Sequence, residues 1–450
     1  MLKRGLYAGL ALGFPAVWGS GCSGGRRGTR PNVVLITLDT TRVDHLGCYG
    51  YRRRTSPNLD ALAEQSVLYS RAIATSSWTL PSHASLFTGK FTTSHGARYD
   101  PEGPLRLKDA INGPASWDRY RARGLSADQR TLAQILKEAG YATGSVVAGP
   151  WMKRVFGLAN GFDFYDDSGI GSSNGRLAPS VTASAGRWIE EFKDREFFLF
   201  LNYYDPHGPL TPPQELAQQF LPASTELRQD VPLTPEQHLA LYDAEILFMD
   251  QQVGILLEKM KRLGIYDNSW IIVTADHGEL FGEHGKFGHG HFLFQPEIHI
   301  PMFMKFPAGE RAPAREEPLV QLTDILPAVC RRLELPVPEG IQGRVPGEAH
   351  PVVAETYPLP SAQYAGDWRA FFEGDYKLLW NSESQHRLYN LKDDPGEAVD
   401  LADQDSARAQ RMQDMLDGYL SGLPRPTAVG PDQELDEKTR DALKGLGYVN

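Results

Sequence analysis

Apolar residues along this chain gather into short unbroken runs that close on acids or turn formers, with longer amphipathic stretches between them. Residues 32–39, Asn-Val-Val-Leu-Ile-Thr-Leu-Asp, are the first such run. Continuous rather than alternating hydrophobicity predicts a strand covered on both faces, the habit of parallel sheets. Residues 67–74, 141–148, 197–204 and 270–275 read the same way. Between them, Ser56-Pro57 followed by Leu59, Leu62 and Ala63 predicts a capped helix. Residues 131–140 predict a helix ending at Gly140, residues 179–193 an amphipathic helix, and residues 234–263 one long helix entered through Thr234-Pro235. Apolar strands alternating with helices define an α/β protein with a mostly parallel sheet flanked by helices on both faces. Past about residue 350 the pattern changes: residues 368–372 and 376–380, separated by Glu373-Gly374-Asp375, predict a hairpin. Residues 386–389 add a third short strand, and a C-terminal helix closes a small antiparallel sheet. The expected organisation is a main domain over residues 31–350 and an α+β subdomain over 351–450, with 100–130 a polar loop insertion of little periodicity.

Composition sets the class. The chain has 450 residues, 41% hydrophobic and 23% charged, enough to bury a sizeable core. Its net charge of −10 comes without a long basic run, so nucleic acid is not an expected partner, because duplex binding needs a clustered cationic surface. The N-terminus has the layout of a signal peptide: Lys3 and Arg4, a mostly apolar stretch from Leu6 to Trp18, then Gly19-Ser20-Gly21 before Cys22. The expected product is exported, periplasmic or anchored to a bacterial membrane through a lipid on Cys22, with residues 1–22 set aside from the fold. Cys48 and Cys330 are too few for a disulfide framework and are expected to be reduced.

The chemistry-bearing residues follow the predicted strands. Asp39 closes the first; Asp205 and His207 follow the run at 197–204; Asp276-His277-Gly278 closes the run at 270–275. Thr79 precedes Pro81-Ser-His-Ala-Ser-Leu-Phe87, which places it at a helix N-terminus, where unpaired N–H groups favour an anion. In parallel α/β sheets ligands bind beyond the carboxyl ends of the strands. Two Asp and a His converging there describe a site for a hard or borderline cation.

With these residues in place, the sequence resembles the sulfatase branch of the alkaline-phosphatase superfamily. Residues 32–50 resemble its opening strand and metal loop, and residues 79–90, Thr-Leu-Pro-Ser-His-Ala-Ser-Leu-Phe-Thr-Gly-Lys, its nucleophile segment. Asp205-Pro-His-Gly-Pro209 and Ala275-Asp-His-Gly-Glu279 fit its later motifs, and residues 387–402 its C-terminal subdomain. The resemblance implies an alkaline-phosphatase-like fold and one divalent metal (Ca, Zn, Mn or Mg, with room for a second) on Asp39, Asp276, His277 and Thr79. It implies Thr79 as nucleophile, with Lys90, His95, His207 and His289 holding the anionic ester and serving the leaving group. Lys286 competes with His289 for the place of a late family Lys. Three departures stand out: Thr40 replaces the second early Asp, His83 the motif Arg, and Thr79 the Cys or Ser converted to formylglycine. The implied activity is hydrolysis of a sulfate, phospho- or phosphonate ester of a small molecule, glycan or lipid. The alternatives are a phosphoethanolamine-type transferase and an inactive anion-binding homologue.

Overall fold

The computed structural model describes residues 30–426 except 112, 223–224, 226–232, 362–365 and 384–385; the signal-like segment and Cys22 lie outside the described residues. Eight strands form the central sheet: β1 Asn32–Leu38, β2 Val67–Ile73, β3 Ala142–Val146, β4 Phe164–Asp166, β5 Phe197–Tyr203, β6 Ser269–Thr274, β7 His299–Lys305 and β8 Ala314–Gln321. Their order is β8-β2-β7-β6-β1-β5-β3-β4. β1 lies at the centre, parallel to β5 (Val33 opposite Phe198) and to β6 (Val33 opposite Trp270). β3 and β4 extend the parallel set. β7 runs antiparallel to both β2 and β6, so the sheet is mixed, with one reversed strand. The apolar runs of β1 and β5 are buried at every position, as two covered faces require.

Alternate side chains of β1 feed two cores. Val33 and Leu35 join Leu80, Ala84 and Phe87 of helix α2 (Thr79–Thr88) on one face. Val34, Ile36 and Leu38 join α1 (Pro57–Ala63), α4 (Ala178–Phe192) and α5 (Pro235–Arg262) on the other. Helix α3 (Leu132–Glu138) and α6 (Ile325–Arg332) complete the first face. α5 is entered through Thr234-Pro235 as expected and begins with a capping box: Thr234 Oγ1 accepts from Gln237 N at 3.2 Å while Gln237 accepts from Thr234 N at 2.9 Å. α1 forms where expected, but its cap differs. The Ser56 hydroxyl bonds Asp60, and the free N–H groups of Asn58 and Leu59 go instead to the buried Asp250 carboxylate on α5, at 3.0 and 2.8 Å.

The C-terminal sheet has four strands: β9 Val352–Thr356, β10 Trp368–Glu373, β11 Tyr376–Asn381 and β12 Arg387–Asn390, all antiparallel. Helix α7 (Ser406–Ser421) covers it through Met412, Leu416 and Leu420. Two elements differ from expectation. β9 adds a fourth strand, and the supposed loop insertion holds a three-stranded antiparallel sheet of Arg98–Tyr99, Leu105–Arg106 and Arg121–Arg123. Strands of two or three residues are too short to leave a periodicity in the sequence. Cys48 and Cys330 are both free.

Candidate active site

The carboxyl ends of β1 and β6 lie side by side, so Asp39 and Asp276 meet. The Asp39 N–H bonds Tyr203 O at 2.8 Å as the chain leaves the sheet. Asp39, Asp276 and His277 are fully buried and offer ligand atoms within 4.8 Å of one another. Asp39 Oδ2 accepts from Asn202 Nδ2 at 3.3 Å, while Oδ1 has no partner. Asp276 Oδ1 accepts from Thr40 N (3.3 Å) and His277 N (3.0 Å), while Oδ2 has no hydrogen bond. The His277 Nδ1–H donates to Gly278 O at 2.9 Å, so Nε2 presents its lone pair, 3.3 Å from Asp276 Oδ2 and 3.5 Å from Thr79 Oγ1. Lone pairs facing one another in a dry interior repel. Burial, and then the Asp276 charge, push the Asp39 carboxyl well above the usual range; burial does the same to Asp276. Two orphaned carboxylate oxygens and an imidazole converging on one point are the donor set a divalent cation takes, and the residues present fit it.

Local backbone holds this geometry. Thr40, φ 50°, stands in the left-handed region, which aims its N–H at Asp276; the Tyr242 hydroxyl clamps the turn by donating to Thr40 O (2.7 Å) and accepting from Arg42 N (2.9 Å). Gly278 is the only residue that fits its place, because a Cβ there would lie 2.1 Å from Pro296 O.

Thr79 is the first residue of α2, a helix buried at every position, and is itself only 2% exposed. Four residues on, His83 has both ring nitrogens in use: Nδ1 bonds Thr79 O at 2.8 Å and Nε2 meets Thr37 Oγ1 at 3.0 Å. Burial lowers its pKa to about 4, so it is a neutral spacer and not a cation in the place of Arg. His289 and His207 continue outward from His277 as a file of rings, with centroids 4.6 Å (277–289) and 4.9 Å (289–207) apart; His207 stacks on Tyr204 at 4.3 Å. Burial opposes charge on His289, but the Glu279 carboxylate at 3.0 Å outweighs it and raises the pKa. Burial, and then the neighbouring His289, lower His207 to about 4. His289 is therefore the imidazole of this file that favours a positive charge.

Thr79, Asp39, Asp276, His277, His289 and His207 thus come together. Lys90 and His95 do not join them. Lys90 follows the C-terminal Gly89 of α2, about 15 Å of helix rise from Thr79, and its Nζ bonds Gln129 Oε1 at 3.0 Å. His95 is buried beside the middle of α2, its Nε2 on Ser85 Oγ (3.0 Å) and its Nδ1 accepting from Ala97 N (3.1 Å). The Lys286 ammonium lies over the Phe292 ring. Asp205 caps α4 by accepting from Ala178 N at 3.0 Å. Asn202 and Glu279 were missed: Asn202 is the one amide in the apolar run 197–204, and Glu279 follows Asp-His-Gly directly.

A buried helix that opens with Thr79 beside an acidic donor set on a parallel sheet edge suits a hydrolase of the alkaline-phosphatase superfamily. A sulfatase family model matches residues 31–334, and the chain belongs to the sulfatase family. It is similar to the uncharacterized sulfatase YidJ of Escherichia coli, 23% identical over 465 residues and covering 88% of each chain. Among solved structures it is similar to a protein in complex with its substrate D-glucosamine-2-N,6-O-disulfate (TM-score 0.70, 17% identity, 90% of this chain and 100% of that one). It is also similar to the phosphonate monoester hydrolase of Agrobacterium radiobacter (TM-score 0.68, 20% identity, 87% and 95%).

Proposed function

We propose that this chain is a metal-dependent hydrolase of sulfate, phospho- or phosphonate esters in which unmodified Thr79 is the nucleophile. The observation that carries this reading is the Thr79 hydroxyl 3.5 Å from His277 Nε2, beside the unpartnered oxygens of Asp39 and Asp276. Asp39, Asp276 and His277 would hold the cation, which would supply charge neutralisation at the ester oxygens and a lowered pKa for the nearby hydroxyl. Thr79 Oγ1 loses its proton and bonds to sulfur or phosphorus, and the ester C–O oxygen leaves with a proton as the free alcohol. Water then cleaves the Thr79 ester, returning the hydroxyl and releasing the acid. His289, beside the Glu279 carboxylate, and His207 face the anion's outer oxygens. The N–H groups opening α2 add a positive dipole end. Formylglycine chemistry does not apply, because Thr has a secondary carbinol whose oxidation gives a ketone.

One observation favours a second reading. His83 and Lys90 are committed to internal partners, which leaves few cationic donors for an anion and suits a homologue that binds esters without turning them over. Aryl sulfate, phosphate monoester, phosphodiester and phosphonate monoester assays with Ca, Mg, Mn and Zn separate the two. Metal-dependent turnover lost in Thr79→Ala and partly kept in Thr79→Ser is expected, with an unchanged Thr79 in the resting peptide by mass spectrometry. Full activity in Thr79→Ala removes Thr79 as nucleophile; anion binding without turnover selects the second reading. Export and acylation at Cys22 belong to the same proposal: detergent-phase partitioning is expected in the wild type and lost in Cys22→Ala, and a cytoplasmic protein retaining Met1 overturns both.

A further inference from the structure

Tyr204 is the first residue beyond β5, where the chain turns at the carboxyl edge of the sheet. The His207 N–H donates to Tyr204 O at 3.0 Å and closes a turn through Asp205 and Pro206. That turn lays the two side chains on one another: their ring centroids lie 4.3 Å apart and their planes 19° from parallel. His289, by contrast, stands across the His207 ring at 69°. The torsion that sets the plane of an imidazole is broad, so rotamer preference alone does not fix it and the neighbours must. Two restraints act on His207. Its Nδ1–H donates to Gly208 O at 2.7 Å, which leaves Nε2 as the nitrogen free to meet a substrate. The stack on Tyr204 sets the plane in which that nitrogen lies.

The phenol is itself seated. A Cβ on Gly149 would stand 3.1 Å from Tyr204 Cδ2, and one on Gly175 2.3 Å from Cδ1, so two glycine backbones close on opposite edges of the ring. Gly175 also has φ 65°, a conformation that glycine adopts without penalty. The Tyr204 hydroxyl donates to Ser173 O at 3.2 Å. Ser173 and Gly175 belong to the loop between β4 and α4, whose ends are tied by the Asp166–Arg176 ion pair at 2.9 Å and by Arg176 N on Ala148 O at 3.1 Å. On the other edge, Gly149 N donates to Asn202 Oδ1 at 3.0 Å, and the same amide reaches Asp39 through Nδ2. The seat of the Tyr204 ring is therefore continuous with the framework that orients Asp39.

We propose that Tyr204 is a positioning residue for the ester reaction: its ring face fixes the plane of the His207 imidazole, and so the direction of Nε2, while its hydroxyl serves only to seat the ring. The proposal rests on the reading that sets His207 against the ester oxygens, but the ring geometry is measured without turnover. The test uses the full chain carrying isotope-labelled histidine, with the His207 ring protons identified by their loss in His207→Gln. Protons above an aromatic face are shifted upfield. Those of His207 are expected upfield in the wild type, to stay there in Tyr204→Phe, and to move downfield in Tyr204→Leu. Turnover of nitrophenyl sulfate and of a nitrophenyl phosphonate with Mn should follow the shift. Tyr204→Leu is expected to lower kcat and kcat/KM together by roughly tenfold or more, and Tyr204→Phe to stay within about threefold of wild type. Gly149→Ala presses a methyl on the ring edge with Tyr204 and His207 both in place, and should fall between the two. It carries the test if circular dichroism shows the leucine variant unfolded. Unmoved His207 resonances or wild-type turnover in Tyr204→Leu (in Gly149→Ala, should the leucine variant not fold) overturns the proposal. So does a loss in Tyr204→Phe as large as that in Tyr204→Leu. Resonances that move as expected in a protein that turns over neither ester would support the placement of His207 by Tyr204 and remove the hydrolase reading.

Discussion

Gly278 shows how tightly single positions are set around the donor cluster. A methyl group there meets the Pro296 carbonyl, which is backbone and cannot rotate aside. Gly278→Ala is expected to cost about 1–3 kcal/mol, as overpacking does, and to displace His277, read as a lower midpoint in thermal unfolding together with weaker metal binding. Asn202 is the side-chain donor to Asp39. Partners of this kind orient ligands, and losing them weakens metal affinity about 10–100-fold; calorimetric titration of Asn202→Ala with Mn or Zn checks this, and affinity equal to wild type would free Asn202 of that role. At this scale the sequence showed the acids and His277 because each ends an apolar run, and a strand end fixes where a side chain emerges. Lys90 stands apart from that cluster for the converse reason. Its motif runs along a helix, and the ten residues of α2 carry it away from the group it follows in the text of the chain.

Between elements, one buried pair ties the C-terminal sheet to the segment after His289. Lys377 on β11 is fully buried, bonds Glu397 Oε1 at 2.5 Å and reaches Leu293 O, while Glu397 Oε2 accepts from Gln295 N at 2.6 Å. Removing one member strands the other charge in a dry interior. Lys377→Met is expected to cost about 3–5 kcal/mol and to lower turnover by loosening residues 289–297; a urea midpoint within error of wild type would contradict it. The long elements were readable because each repeats one pattern many times: 28 residues of α5, seven each of β1 and β5. β7 and β8 were not. Pro301 interrupts the first, and exposed Arg315 and Glu317 with half-buried Glu316 fill the second, an edge strand with one partner.

Two buried carboxyls of α5 should make the molecule lose stability as pH rises through neutrality. Burial raises Glu245 to about 8 and Asp250 to about 6, whereas both titrate near pH 4 in an unfolded chain. Between those limits the folded chain binds more protons than the unfolded one. The stability that these two carboxyls contribute at pH 5 is therefore lost as pH climbs to 8, by about 1.4 kcal/mol for each unit of displacement. Glu245→Gln keeps an acceptor for Thr211 N and should flatten the difference between urea midpoints at pH 5.5 and 8.5; an unaltered difference would clear Glu245. The central place of β1 has a consequence for synthesis. Val33 pairs with Phe198 and Trp270, so the first strand waits for partners 165 or more residues away. At ribosomal speeds that delay is roughly 10–30 s, during which Val-Val-Leu-Ile is an unpaired sticky edge. Folding of this topology is slow, and the nascent chain is exposed to aggregation until those partners emerge.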